Sequence, residues 1–175
     1  MKKFSVLAIL IILTGVSCER DDICSENTLT TPSLVIRFYN VDDQEQTKQV
    51  RLLTVNGVDS EGNVLKNIVT STSTDSIVLP LRFQNEGVIT TSRFQLTKDS
   101  DFDTDTNPNT FSNTDVIEVS YTPQFIYVSR ACGYKSIFNN LQNTLIIDSD
   151  NWIFGYNIIN STLESEKAAH IILYH

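Results

Sequence analysis

The chain has 175 residues and a formal net charge of −8 at pH 7. A chain of this length makes one domain with a sizeable hydrophobic core, without help from a metal or several disulfides. It lacks a basic stripe interleaved with aromatic residues, which excludes nucleic acid as a partner. Only 19% of the residues are charged, and this balance favours an exported β-protein over a helical one.

Residues 1–17 have the pattern of an export signal. Lys2 and Lys3 precede an apolar run over residues 4–13, and small residues follow at 14–17. A positive start, an apolar segment of about 7–15 residues and a small-residue processing site are typical of a secretory signal peptide. A membrane span would need about 20 apolar residues, so this run is too short to be one.

Cys18 directly follows the small residues. This arrangement resembles a bacterial lipobox, in which the cysteine thiol is lipidated and becomes the mature N-terminus. Lipoboxes usually carry Leu where this chain has Gly15, and an ordinary cleaved signal peptide is the alternative. We predict a lipid anchor on Cys18 in the outer membrane, facing the cell surface or the periplasm, an acidic tether over 18–32 and a single β-domain over 33–175.

The two remaining cysteines, Cys24 and Cys132, make an even pair in an oxidising compartment. We predict a disulfide between them, and two separate thiols are the alternative. In the chain-entropy model, closing such a long loop contributes about 4–5 kcal/mol of stability.

Alternating apolar and polar residues predict a series of strands. In the first, residues 33–39, Leu34, Ile36 and Phe38 share one face. The others are expected at 48–56, 63–70, 76–83, 89–98, 115–121, 125–130, 143–148, 151–159 and 167–175. Pro80 makes its strand an edge or bulge, and only Ala131–Leu141 has a helical pattern. The pattern predicts an all-β fold: an antiparallel two-layer β-sandwich, or flattened barrel, with one short helix near 131–141.

Three details of the C-terminal half follow from the same alternation. Residues 143–148 and 151–159 are expected to pair through a turn at 148–150. One strand face should be sheet core rather than a binding platform, and it carries Trp152, Phe154, Tyr156 and Ile158. The last strand should bury Ala169, Ile171 and Leu173.

Three segments together resemble an uncharacterised family of lipoproteins from the Bacteroidota, known as a domain of unknown function. They are CERDDIC at 18–24, LVIRFYN at 34–40 and SRACGYKSIFN at 129–139. The resemblance supports the lipid anchor and brings no activity, ligand or catalytic residue with it.

The resemblance implies a role for two short sequences. Residues 19–22, Glu-Arg-Asp-Asp, resemble the acidic signal that exports lipoproteins of that phylum to the cell surface, and a solvated tether is the alternative. Asp75-Ser76-Ile77 is similar to the short sequence that is O-glycosylated in exported proteins of the phylum. The alternative is that Ser76 simply caps a strand.

A candidate ligand patch surrounds Cys132. Arg130, Tyr134 and Lys135 would offer cationic and aromatic groups to an anionic or sugar ligand. The structural alternative is the start of a disulfide-anchored helix, with Tyr134 packed on the sheet.

An alternating acidic run could supply oxygen ligands to Ca²⁺; its members are Asp99, Asp101, Asp103 and Asp105. The Gly and Glu that an EF-hand loop needs are replaced by Thr104 and Thr110, which excludes that type of loop. A looser calcium site is the weak alternative to a solvated connection.

Familiar catalytic patterns are missing from the sequence. His170 and His175 lie five residues apart, so a strand would point them to opposite faces and no zinc set forms. Neither a nucleophile elbow nor a nucleotide-binding loop occurs, and no cofactor is expected. We therefore expect a non-catalytic, lipid-anchored binding or accessory module with a protein or glycan partner. The alternatives are a structural subunit of an outer-membrane complex and a hydrolase with a dispersed site.

Overall fold

The computed structural model describes residues 23–24, 31–101 and 111–175. The described residues form two compact units: one contains residues 31–101, 111–126 and 135–175, and the other contains residues 23–24 and 127–134. The described part of the chain contains strands and no helix, hence no helix that is long and apolar enough to cross a membrane. The signal and Cys18 lie outside the described residues.

Nine strands follow one another along the described chain. Their bounds are β1 Leu34–Tyr39, β2 Val50–Val58, β3 Val64–Thr74, β4 Ser76–Leu79, β5 Thr90–Lys98, β6 Asn113–Ser129, β7 Gly133–Ile146, β8 Gly155–Ile158 and β9 Ile171–Tyr174. They form a four-stranded sheet in the order β4-β1-β9-β8 and a five-stranded sheet in the order β3-β2-β5-β6-β7. The two sheets enclose one hydrophobic core. The predicted all-β, sandwich-like fold is confirmed.

β1 lies inside its sheet, between β4 and β9. Leu34, Ile36 and Phe38 are completely buried, whereas Arg37 is exposed. This is the face assignment that the alternation predicts, because successive side chains of a strand point to opposite faces. β4 ends at Leu79, directly before Pro80, and it is an edge strand as predicted.

The pairing of β1 with β9 is parallel, so the four-stranded sheet is mixed rather than purely antiparallel. Ile36 is aligned with Ile171, and the amide of His175 donates to the carbonyl of Tyr39 at 3.0 Å. β9 buries Ile171 and Leu173 as predicted. Ala169 precedes the strand and is only half-buried.

The helix predicted over Ala131–Leu141 is wrong, because this segment turns at 130–132 and continues as β7. Gly133 has a φ of 68°, which suits the end of a turn. Asn140 has a φ of 56° and interrupts the regular strand alternation. Phe138 and Leu141 are therefore both buried although they are three residues apart. An apolar spacing of three is also what a helix produces, which explains the error.

The predicted pairing of 143–148 with 151–159 is also wrong. β7 belongs to the five-stranded sheet, whereas β8 belongs to the other sheet and pairs with β9. The connection at 147–154 therefore passes from one sheet to the other. Trp152 is buried and donates its indole N–H to the carbonyl of Leu96 at 3.2 Å. Phe154 and Tyr156 are exposed, so the predicted core stripe is wrong for these two residues.

The strands predicted at 115–121 and 125–130 are one strand, β6, which continues through Pro123. The pairing of β6 with β5 ends at Tyr121. The missing N–H of Pro123 therefore removes no hydrogen bond from that ladder.

Replacing Phe38 by Ala should lower the free energy of unfolding by about 3–5 kcal/mol, because it leaves a cavity in a fully packed site. The Phe38 ring centroid lies 6.3 Å from that of Trp152. Replacing exposed Arg37 by Ala should change the free energy of unfolding by only about 0.5 kcal/mol. Denaturant melts of both variants measure this difference. Equal losses, or a larger loss for Arg37→Ala, would contradict the face assignment.

Deleting residues 34–39 should abolish cooperative folding. β4 is hydrogen-bonded only to β1 within its sheet, and β9 loses one of its two neighbours. Circular dichroism in the near-ultraviolet and the thermal melt report whether fixed tertiary packing survives. A truncated chain that still unfolds in one sharp transition would show that β1 is dispensable.

Candidate functional site

A groove opens beside β3, an edge strand of the five-stranded sheet, with a volume of about 320 Å³. Its lining is mostly apolar: Gly57, Val58, Leu65, Ile68, Pro80, Leu81 and Phe94, with Ser92. Three cationic residues complete the lining, namely Lys66, Arg82 and Arg93. We call this the apolar groove. Among the residues that the structure describes, no acidic one lines it.

The cations of the apolar groove differ in what they contact. Arg93 forms an ion pair with Glu118 and donates from Nη1 to the carbonyl of Ser60 at 2.7 Å. Within the described part of the chain, the side chains of Lys66 and Arg82 make no hydrogen bond or ion pair. The site therefore carries about two positive charges that form no ion pair with a described carboxylate.

The side chains of Ser92 and Tyr121 hold the backbone of Arg82 in place. Its amide donates to Ser92 Oγ at 3.2 Å, and its carbonyl accepts a hydrogen bond from the hydroxyl of Tyr121. The same hydroxyl lies 2.7 Å from Ser92 Oγ, and burial raises the pKa of Tyr121. Ser92 and Tyr121 come from adjacent strands, β5 and β6, so the five-stranded sheet positions the loop that follows β4.

A second groove of about 410 Å³ shares Val58, Arg82 and Arg93 with the first. Its other lining residues are Asp59, Ser60, Thr91 and Glu118. The Asp59 carboxylate accepts amide hydrogen bonds from Glu61 at 2.9 Å and Asn63 at 2.8 Å. Hydrogen bonds from Asn63 are the main cause of its lowered pKa. Both carboxylates of this polar groove are thus engaged, Asp59 in a turn and Glu118 with Arg93.

The predicted patch of Arg130, Tyr134 and Lys135 is divided between the two units. Arg130 and Tyr134 belong to residues 127–134, where the rings of Tyr127 and Tyr134 meet edge to face at 5.4 Å. Tyr134 is 70% exposed, so the alternative in which it packs on the sheet is wrong. Lys135 is half-buried in the other unit.

The structure joins Cys24 to Cys132 by a disulfide, with their Cα atoms 4.8 Å apart. The bond closes a loop over 108 positions of sequence. Beside it, the amide of Cys132 donates to Ser129 Oγ at 3.0 Å, which holds the turn after β6. The cysteine pair and the turn lie in the same compact unit.

The acidic run contributes two ion pairs with Arg51 where its residues are described. Arg51 bonds Asp99 at 2.9 Å and Asp101 at 2.7 Å, and these two hydrogen bonds raise its pKa, Asp101 having the larger effect. Asp103 and Asp105 lie outside the described residues. Among 23–24, 31–101 and 111–175, no three His, Cys, Asp or Glu side chains come together as a metal site.

The predicted modification site, Ser76, begins β4 and is half-buried. Its hydroxyl donates to the carbonyl of Ile36 at 3.2 Å, and its amide donates to Thr74 Oγ1 at 3.1 Å. A glycan on this oxygen in the folded protein would break the bond to β1. The contacts are those of a strand-capping serine.

A buried carboxylate that the sequence analysis missed supports the crossing between the sheets. Asp115 is completely buried in β6, and its Oδ2 accepts the amide hydrogen of Ile153 at 2.8 Å. Burial raises its pKa. Asp115 does not line either groove. Asp115 alternates with Ile117 and Val119 along β6, and this spacing could have placed it on the inner face.

The two histidines lie at opposite ends of β9. His170 is buried, and its Nδ1 accepts the amide hydrogen of Val35 at 3.0 Å. The ring of His175 meets Phe38 and Trp152 edge to face at 6.1 and 5.6 Å. Burial lowers the pKa of both imidazoles. These are structural contacts, and they do not bring the two rings to one metal.

The buried neutral ring of His170 should make stability depend on pH. An unfolded imidazole has a pKa near 6.5, and the folded value is lower. The unfolded chain therefore binds more protons as the pH falls below 6.5, and stability is lost in that direction. Melts of the wild type and of His170→Gln between pH 7.5 and 5 should show a smaller loss for the variant. His175 and Asp115 titrate in both proteins, so parallel curves would contradict the role of His170.

Comparison with known proteins gives a family and no function. No curated protein and no solved structure matches the chain. A family of unknown function, DUF6452, matches residues 52–175, which contain β3 to β9, most of β2 and every residue of both grooves. The chain belongs to the DUF6452 family.

Proposed function

We propose that this protein is a non-catalytic binding module, held at the outer membrane by a lipid on Cys18. The observation that carries the proposal is the apolar groove, which is lined by Lys66 and Arg82 in a chain of net charge −8. A concave, mainly apolar site with a few oriented polar groups is typical of ligand binding.

The contacts of the ionisable groups favour binding over catalysis. Asp115 and His170, both buried, each accept a backbone amide hydrogen of the fold. In the polar groove, Glu118 is paired with Arg93 and Asp59 caps a turn. General acid–base chemistry needs a group free to exchange a proton with a substrate. Neither Asp115 nor His170 lines the apolar or the polar groove, and their contacts with the backbone suit a structural role.

The proposed location rests on the N-terminal sequence and on the cysteines. The export signal ends directly before Cys18, and an acidic tether precedes the β-domain. The Cys24–Cys132 disulfide suits an oxidising compartment, because reducing compartments keep such pairs as thiols. Either face of the outer membrane fits these features.

A second candidate function is a structural subunit of an outer-membrane complex. β3 is a long edge strand, and its Val64 and Leu65 are 58% and 57% exposed. An exposed edge offers unpaired backbone groups to a strand of a partner protein. Affinity capture of the native protein from solubilised membranes distinguishes the two: a subunit co-purifies with a fixed partner in constant proportion, whereas a ligand-binding module does not.

Lipid attachment should depend on Cys18 alone among the three cysteines. Cells grown with an alkyne-labelled fatty acid should incorporate the label into the wild type and not into Cys18→Ser. Cys132→Ser removes a thiol without removing the lipobox, so it is the matched control and should keep the label. Fractionation should move only Cys18→Ser out of the detergent phase. A labelled, membrane-bound Cys18→Ser protein would contradict the anchor.

The face of the membrane is a separate measurement on the same strains. Protease added to intact cells should degrade the wild type if residues 19–22 act as a surface export signal. Protection until the cells are lysed would place the domain on the periplasmic side and leave the anchor itself unchanged.

A further inference from the structure

We infer that the apolar groove binds a small aliphatic carboxylate, with the carboxylate at Arg82 and Lys66 and the hydrocarbon chain along Leu65, Ile68 and Leu81. This inference rests on the proposed binding function and names its ligand class. It follows from the charge, the lining and the size of the groove. All the residues that line the groove belong to one unit.

The charge of the groove selects an anion. Lys66 and Arg82 line it, and no acidic residue from the described ranges does. The third cation, Arg93, is already paired with Glu118. The net charge of the chain is negative, so these two cations are a local exception. The Arg82 guanidinium offers a planar pair of N–H donors that matches a carboxylate. Its backbone is fixed by Ser92 and Tyr121, so little ordering of the chain opposes binding.

The apolar lining selects a hydrocarbon chain. Ile68 and Leu81 are partly buried and pack against the hydrophobic core, and Phe94 is almost completely buried. Leu65, more than half exposed, leaves apolar surface open to water. A ligand that covers this surface gains free energy in proportion to the apolar area removed from water. A sugar would leave its hydroxyls without partners against such a lining.

The size of the groove limits the ligand to a short chain. Its volume of about 320 Å³ is at the lower end of ligand sites, which measure about 300–1,000 Å³. Gly57 contributes to this space, because a Cβ there would lie 3.7 Å from Ile68 Cδ1. The shape therefore suits one alkyl chain, and it does not suit a large polar headgroup.

The test is a titration of the full chain carrying Cys18→Ser, so that no detergent or covalent acyl chain competes for the groove. Butanoate, hexanoate, octanoate and decanoate are titrated below their micelle concentrations, and binding is followed by calorimetry and by the NMR shifts of Ile68 and Gly57. Affinity should rise about three- to fourfold for each added methylene until the groove is full. Decyltrimethylammonium, with the same chain and the opposite charge, should bind at least about tenfold more weakly than decanoate.

Two pairs of variants assign the binding to this groove. Arg82→Gln should weaken decanoate about tenfold. Arg37→Gln makes the same charge change at an exposed site outside the groove, and it should leave decanoate binding unchanged. Leu65→Ser should weaken decanoate about threefold. Val64→Ser should leave decanoate binding unchanged, because Val64 does not line the groove. Val64 is as exposed as Leu65 and lies on the same strand. All four positions are exposed, so the variants should keep the melting temperature of the parent.

Three results would overturn the ligand class: an affinity that does not change with chain length, equal binding of decyltrimethylammonium, or shifts that do not include Ile68 and Gly57. None of these results affects the outcome of the lipid-labelling experiment with Cys18→Ser and Cys132→Ser. A failure of the carboxylate proposal is thus distinguishable from a failure of the lipid-anchored location.

Discussion

The parallel pairing of β1 with β9 is the constraint on which the four-stranded sheet depends. Within that sheet β4 is bonded only to β1, and β8 only to β9, so no other ladder joins the two halves. The imidazole of His170 adds a side-chain bond to Val35, across 135 positions of sequence. Bringing together positions this far apart in sequence costs loop-closure entropy, which slows folding. The first and last strands thus complete the core together.

This pairing also shows that the folded unit is larger than the family match. The DUF6452 match begins at residue 52, whereas β1 ends at Tyr39. β1 supplies Phe38 to the core and pairs with both β4 and β9. A domain cut at residue 52 would leave β4 without its partner strand and β9 with one edge open. The physical domain therefore includes β1, whatever boundary sequence similarity gives.

Most strands could be predicted from the sequence, because a strand between core and solvent carries an alternating pattern, as in Leu34 to Phe38. The errors arose where long-range pairing overrides local pattern: Phe138 and Leu141 share a helix-like spacing across an irregular strand, and residues after 148 change sheets. The groove could not be predicted. Lys66, Arg82 and Arg93 carry no motif, and only the fold brings them to one place.

The apolar groove owes its position to the connection between the two sheets. Residues 80–82 follow β4 in one sheet and lead towards β5 in the other. Ser92 and Tyr121 hold this connection through the backbone of Arg82, not through its side chain. These bonds leave the guanidinium donors available, and a cation beside an apolar surface is what an amphiphilic anion requires. The contacts that stabilise this connection thus also place the backbone that carries the cation of the groove.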